Sequence, residues 1–125
     1  MSPLAFVALA VAGGVGAAAR FFVDGAVRQF VRTSYPVGTT LINVSGSFLL
    51  GLITGLSLSH LVPPEWQLVL GTGFLGGYTT FSTASFETIR LLQNRRWVAA
   101  LGNGLGMLVA AVAASALGLW LGSLG

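Results

Sequence analysis

From Trp97 to Leu124 the chain carries no charged residue, and that unbroken apolar length constrains its fold more than any other feature. About 20 residues of helix cross the hydrocarbon core of a bilayer, since each residue advances roughly 1.5 Å through about 30 Å. Three more stretches approach or exceed this length. They are Pro3 to Ala19, continuing past Arg20 through Phe21-Phe22-Val23, then Tyr35 to Ser59, then Trp66 to Phe86. A soluble domain carries roughly a quarter charged residues. Here 7% are charged and 54% hydrophobic, too little polar cover for a surface in water. The sequence therefore predicts an all-α membrane protein with a single domain over 1–125 and spans near 3–31, 35–60, 66–90 and 96–124.

The charges that remain are informative by position. All six basic residues are arginine, and no arginine stripe with interleaved aromatics forms a nucleic-acid surface. Arginines flanking apolar spans contact lipid headgroups instead. Cysteine is absent, which removes disulfides, thiolate metal sites and cysteine nucleophiles. Met1-Ser2-Pro3 lacks a basic leader, so the first apolar stretch reads as a retained helix. Trp66, Trp97 and Trp120 fall near span ends, where amphipathic rings sit among headgroups. His60 stands alone in a loop, and no nucleophile–base pair is visible, so the chain reads as a non-enzyme.

Small residues recur at four-residue spacing, Ser47, Gly51 and Gly55 on the second span and Gly102 and Gly106 on the fourth. That spacing lets membrane helices approach closely. The third span holds Gly71-Thr72-Gly73-Phe74-Leu75-Gly76-Gly77-Tyr78-Thr79-Thr80-Phe81-Ser82-Thr83, which is poor helix material. Two readings stand. Either the helix breaks and its freed carbonyls meet a cation, or it continues, with glycines for packing and hydroxyls back-bonded to carbonyls. On the second span Thr39, Asn43 and Ser47 form one polar stripe. An amide in hydrocarbon needs a partner. It joins two helices or lines a wet pathway, where its two donors would suit an anion. One small bundle does not enclose a pore, so self-association is expected.

Several of these residues together resemble the Fluc (CrcB) family of fluoride ion channels. Gly38-Thr39, Asn43, Gly46 and Gly51 look like its second-helix signature, and Gly73 through Thr83 resemble its third, with Glu87 where the family has a glutamate. Gly13-Gly14, Gly16-Ala17 and Arg20 resemble the first-helix pattern. The resemblance covers nearly the whole chain and implies four transmembrane helices, the third broken, in an antiparallel dual-topology dimer in the bacterial inner membrane. It implies a passive fluoride-selective channel that exports fluoride and lowers its cytoplasmic toxicity. It implies a structural, untransported sodium ion held by the backbone carbonyls of Gly76 and Thr79. Asn43, Phe81, Ser82 and Thr83 match the fluoride pathway. Arg20 takes a vestibule or structural role, and Glu87 is its partner or a separate vestibule charge.

The chain departs from the family pattern in places. Ala84 stands where the family has a second phenylalanine, with Phe86 on another part of the turn. On the fourth span Met107 and Ala111 occupy positions where relatives often carry hydroxyls, leaving Asn103 and Ser115 as its polar residues. Arg28, Arg32, Arg90, Arg95 and Arg96 gather at one side, and the positive-inside rule then places both termini outside. A homodimer of dual topology should show weaker bias, so an oppositely oriented paralogue is an alternative partner to a second copy. Two other functions share the architecture. A small multidrug-type transporter needs an intramembrane carboxylate in its first helix, whereas Asp24 lies beyond Arg20 near the span's end. A non-transporting assembly subunit would need only the glycine packing.

Overall fold

The computed structural model of the chain describes residues 2–31 and 37–124, the side chains of 81–86 excepted. The elements among them are all helical. In order they are α1 (Pro3–Phe30), α2 (Val37–Leu58), α3 (Pro64–Gln67), a π-helical stretch (Leu68–Leu75), α4 (Gly76–Tyr78), α5 (Phe81–Gln93), α6 (Trp97–Leu101), a second π-helical stretch (Gly102–Gly106) and α7 (Met107–Ser123). Three runs are long and apolar enough to cross a membrane: Pro3–Phe30, Val37–Leu58 and Trp97–Ser123, the last taking α6, the second π stretch and α7 together. The remaining run, α3 to α5, leaves the helix at Thr79 and Thr80.

Local chemistry explains where the helices begin and end. Ser2 Oγ accepts a hydrogen bond from the Ala5 amide at 3.1 Å, and Pro3 opens α1, where a missing N–H costs nothing. α2 and α5 close on the opposite device. His60 and Arg95 adopt the left-handed conformation, φ 61° and 58°. The Leu61 amide then reaches the Leu56 carbonyl and the Arg96 amide the Leu91 carbonyl, each at 2.9 Å. This is the wrap that usually places glycine in the left-handed position.

Glycine governs how the long helices meet. A Cβ on Gly51 would overlap the Ser115 carbonyl, and one on Gly118 would overlap the Phe48 carbonyl. One turn further on, Gly55 and Gly122 repeat the interlock against the Leu119 and Leu52 carbonyls, each at 2.5 Å from the added atom. Residue numbers rise together along both helices, so α2 and α7 run parallel. α1 lies in the same way along the first π stretch and α4, where Gly16 faces the Phe74 carbonyl and Gly77 the Gly13 carbonyl. Lipid gives no hydrophobic push between helices, so close backbone approach supplies the dispersion contact that holds them. Gly102 and Gly106, whose spacing suggests the same use, meet nothing within 4 Å. The glycine contacts of that pass lie further along, at Gly118 and Gly122.

The outward faces suit lipid and not water. Phe21, Phe22, Phe30 and Val98 each leave more than four-fifths of their surface exposed, and Trp66, Trp97 and Trp120 are exposed as well. The chain is a multi-pass membrane protein. Gly118→Ala should drive a methyl into backbone and cost about 1–3 kcal/mol. Gly106→Ala enters open space, and alanine's higher helix propensity makes it neutral to stabilising by up to about 1 kcal/mol. Thermal unfolding in detergent should show a clear Tm loss for the first variant only.

Candidate functional site

The interruption between α4 and α5 follows from what the backbone there is offered. Glycines in the π stretch and at Gly76-Gly77 leave little side chain to stiffen the helix, and Thr79 bonds back through both its amide and its hydroxyl to the Leu75 carbonyl, at 2.9 and 3.0 Å. Thr79 itself is extended, φ −78° and ψ 159°, which turns its carbonyl out of the helical ladder. In an unbroken helix the Thr80 amide would donate to the Gly76 carbonyl. It donates instead to Asn43 Oδ1 at 2.8 Å. The Gly76 carbonyl is thereby released from its regular partner.

Asn43 completes this clamp. Its Nδ2 donates to the Thr80 carbonyl at 2.9 Å, so one side-chain amide closes on both polar groups of one peptide residue. The second Nδ2 proton goes to the Met107 sulfur at 3.1 Å. These atoms line a cavity of about 580 Å³ between α2, the break, α5, the second π stretch and α7. Ser47, Thr79, Thr88, Asn103 and Ala111 contribute to its wall, with Leu50, Ile89 and Leu108 supplying apolar surface. Asn103, at 1% exposure, donates to the Thr88 hydroxyl at 2.7 Å, while its Oδ1 is buried with no hydrogen-bond partner among the described residues. The cavity thus combines amide and hydroxyl groups with an apolar wall and no ionised side chain among its described lining.

Charge lies at the arginine-rich end. The Thr39 hydroxyl, 2% exposed, donates to Glu87 Oε1 at 2.5 Å and ties the start of α2 to α5. Arg28 pairs with Asp24 at 3.2 Å. Glu87 and Arg20, alternative partners by sequence, form no ion pair among the described residues. Arg20 lines a separate open hollow of about 780 Å³ beside α1, with Phe21, Phe22 and Gln29. Among the described residues no cluster of three or more His, Cys, Asp or Glu side chains could hold a metal ion.

Residues 7–121 match the family model described as CrcB-like protein, Camphor Resistance (CrcB). The chain belongs to the CrcB family. It is 58% identical over 124 residues to a protein of Leifsonia xyli named fluoride-specific ion channel FluC 1, covering 99% of this chain and 90% of the relative. A Cutibacterium acnes protein named fluoride-specific ion channel FluC 2 is 50% identical over 115 residues, 90% of this chain and 93% of its own. A Geobacter metallireducens protein named fluoride-specific ion channel FluC is 44% identical over 117 residues, 93% and 94% respectively.

Within this CrcB chain the structure brings Asn43 against the break at Thr79 and Thr80 and ties Glu87 to Thr39, one turn earlier on α2. The Phe81, Ser82, Thr83, Ala84 and Phe86 side chains, as well as Arg32, lie outside the described residues. Sequence reasoning treated Met107 only as a missing hydroxyl and left Thr88 and Asn103 without a role, yet all three line the cavity. Asn103 was findable, because an amide in a charge-free span demands a partner as Asn43 does. Nothing in the sequence pairs Met107 with Asn43. Asn43→Ala strips both bonds from the Thr80 backbone and should cost roughly 2–4 kcal/mol, since each stranded buried polar group costs about 1–3 kcal/mol. Denaturant unfolding of the purified protein, followed by tryptophan fluorescence, measures it.

Proposed function

We propose that the chain is a passive, fluoride-selective channel that releases fluoride from a bacterial cell across the inner membrane and so limits its toxicity. The observation that carries this reading is the cavity around Asn43, with amide and hydroxyl groups but no described ionised side chain, in a chain whose near full-length relatives are named fluoride-specific ion channels. A strongly hydrated small anion needs replacement hydrogen bonds along a narrow path. Fixed neutral dipoles provide them without trapping the ion as a buried cation would. Phe81, Ser82 and Thr83, which follow Thr80 directly, are assigned to the same path, and Arg20 and Glu87 to its approaches. No step in conduction calls for a nucleophile or a general base, so this is a channel and not an enzyme.

The working unit in this reading has four transmembrane passes per chain and is an antiparallel dimer. The Gly76 carbonyl, which has lost its regular helical partner, and the outward Thr79 carbonyl support a structural sodium ion at its centre, two oxygens from each chain. Such a hard cation takes neutral oxygen ligands, and it would lock the two breaks against each other. Purified protein in liposomes should release fluoride down its gradient and retain chloride. Exhaustive replacement of sodium by a bulky organic cation should abolish the flux, and returning sodium should restore it. Comparable chloride release would refute selectivity, and flux indifferent to sodium would remove the ion from the assembly.

The arginines at one end, Arg28, Arg90, Arg95 and Arg96, with Arg32 in sequence, favour one insertion. The partner proposed is therefore an oppositely inserted paralogue, with a second copy as the alternative. A single cysteine placed in the α2–α3 loop of this cysteine-free chain should react mainly from outside intact cells. Equal labelling from both faces would instead establish the homodimer of dual topology.

A further inference from the structure

Asn43 has two amide protons and one carbonyl oxygen to offer. The oxygen and one proton are spent on the Thr80 backbone, at 2.8 and 2.9 Å. One proton is left for any ligand in the cavity, and the Met107 sulfur already sits on it at 3.1 Å. Met107 is 7% exposed and lines the same cavity. A donor at the wall of a proposed anion path is thus covered by a protein group.

We propose that the Met107 thioether is a displaceable stand-in for the anion, occupying the Asn43 proton that a permeating fluoride takes and swinging off it as the ion arrives. This rests on the anion-channel reading and names the residue that sets its affinity. Thioether sulfur is a weak acceptor, whereas an anion makes a charge-assisted bond to the same N–H. Sulfur lone pairs and an anion repel, so the two cannot share the proton. Methionine is unbranched with three rotatable side-chain bonds, and so it can leave without moving backbone. Ala111 and Gly104, small residues on the same cavity wall, leave room for it. The exchange has a second consequence. Leaving fluoride is replaced at once by sulfur, so the ion's departure does not strand a buried N–H, and release is eased.

Competition of this kind predicts a definite shift. Met107→Leu keeps volume and apolarity but removes the acceptor. Half-saturating fluoride should then fall about fivefold, the factor for a bond worth roughly 1 kcal/mol at 1.4 kcal/mol per tenfold. Maximal flux should fall as well, because release loses its replacement partner.

A readout independent of flux is available because the chain has two methionines, Met1 and Met107. Methyl-13C methionine labelling of the full-length protein in lipid nanodiscs therefore gives two methyl signals, assigned by the one lost in Met107→Leu or Met107→Ile. Titration of the unsubstituted protein with sodium fluoride should move the Met107 methyl saturably, while equal sodium chloride leaves it in place. If the protein conducts fluoride in liposomes but the Met107 methyl does not respond, the stand-in role is refuted and the channel reading stands. Equal shifts with chloride also overturn it, since the displacement would not be the fluoride event. Absence of both fluoride flux and methyl response sinks the channel reading itself. Should Met107→Leu misfold, the titration of the unsubstituted protein still decides.

Discussion

A peptide group inside a bilayer must find its hydrogen bonds within the protein, because lipid offers none. The helical ladder is interrupted at Thr79 and Thr80, and one side chain makes up the loss. Asn43 takes the Thr80 amide and returns a proton to the Thr80 carbonyl, doing for a single residue what the next turn of helix would have done. Everything distinctive about the centre of the molecule depends on this exchange. It lets the chain change direction at Thr79, it draws the Thr80 amide away from the Gly76 carbonyl, and it holds α2 against the break.

The rest of the fold makes the clamp rigid. Asn43 can meet Thr80 only if α2 is held at a fixed depth, and the interlocked backbones of Gly51 with Ser115 and Gly118 with Phe48 fix that depth against α7. On the other side, Gly13, Gly16 and Gly77 seat α1 against the π stretch and α4. Thr39 and Glu87 fasten the start of α2 to α5, one turn beyond the clamp. Glycine contacts of this kind tolerate no added atom, so small errors in helix position would be felt directly at the amide. Dispersion packing and a polar staple thus act on the same degree of freedom.

The same staple shapes the chemistry open to the cavity. With most of its amide committed to backbone, Asn43 has one proton to present, and neighbouring Asn103 and Thr88 are bonded to each other. The amide donors of the wall are thus held in place by bonds within the protein. Fixed donors suit an ion that must bind and then leave, because each site can be satisfied without becoming a trap. The amide that orders the break is also the amide that faces the cavity, so a substitution there tests structure and conduction at once. Met107 meets the amide without bonding the Thr80 backbone, which makes it the cleaner probe.

Much of this was legible in the residues themselves. Charge-free lengths demand membrane helices whatever their packing, since no other solvent accepts them. The glycine and hydroxyl run from Gly71 to Thr83 marks the place where helix is weakest, and Asn43 marks a group that must be paired. Alternatives remained at both points, because spacing along one chain cannot say which partner lies across a bundle. The tertiary structure decided those partners. It placed Asn43 against the Thr80 backbone as well as the Met107 side chain, gave Glu87 to Thr39 and not to Arg20, and put the close glycine contacts of the Trp97–Ser123 run at Gly118 and Gly122 instead of Gly102 and Gly106. It also set a thioether on the last free amide proton. Composition and periodicity are properties of one segment read alone, whereas a hydrogen bond between residues far apart in the chain depends on the depth and rotation of two helices, which only their mutual packing determines.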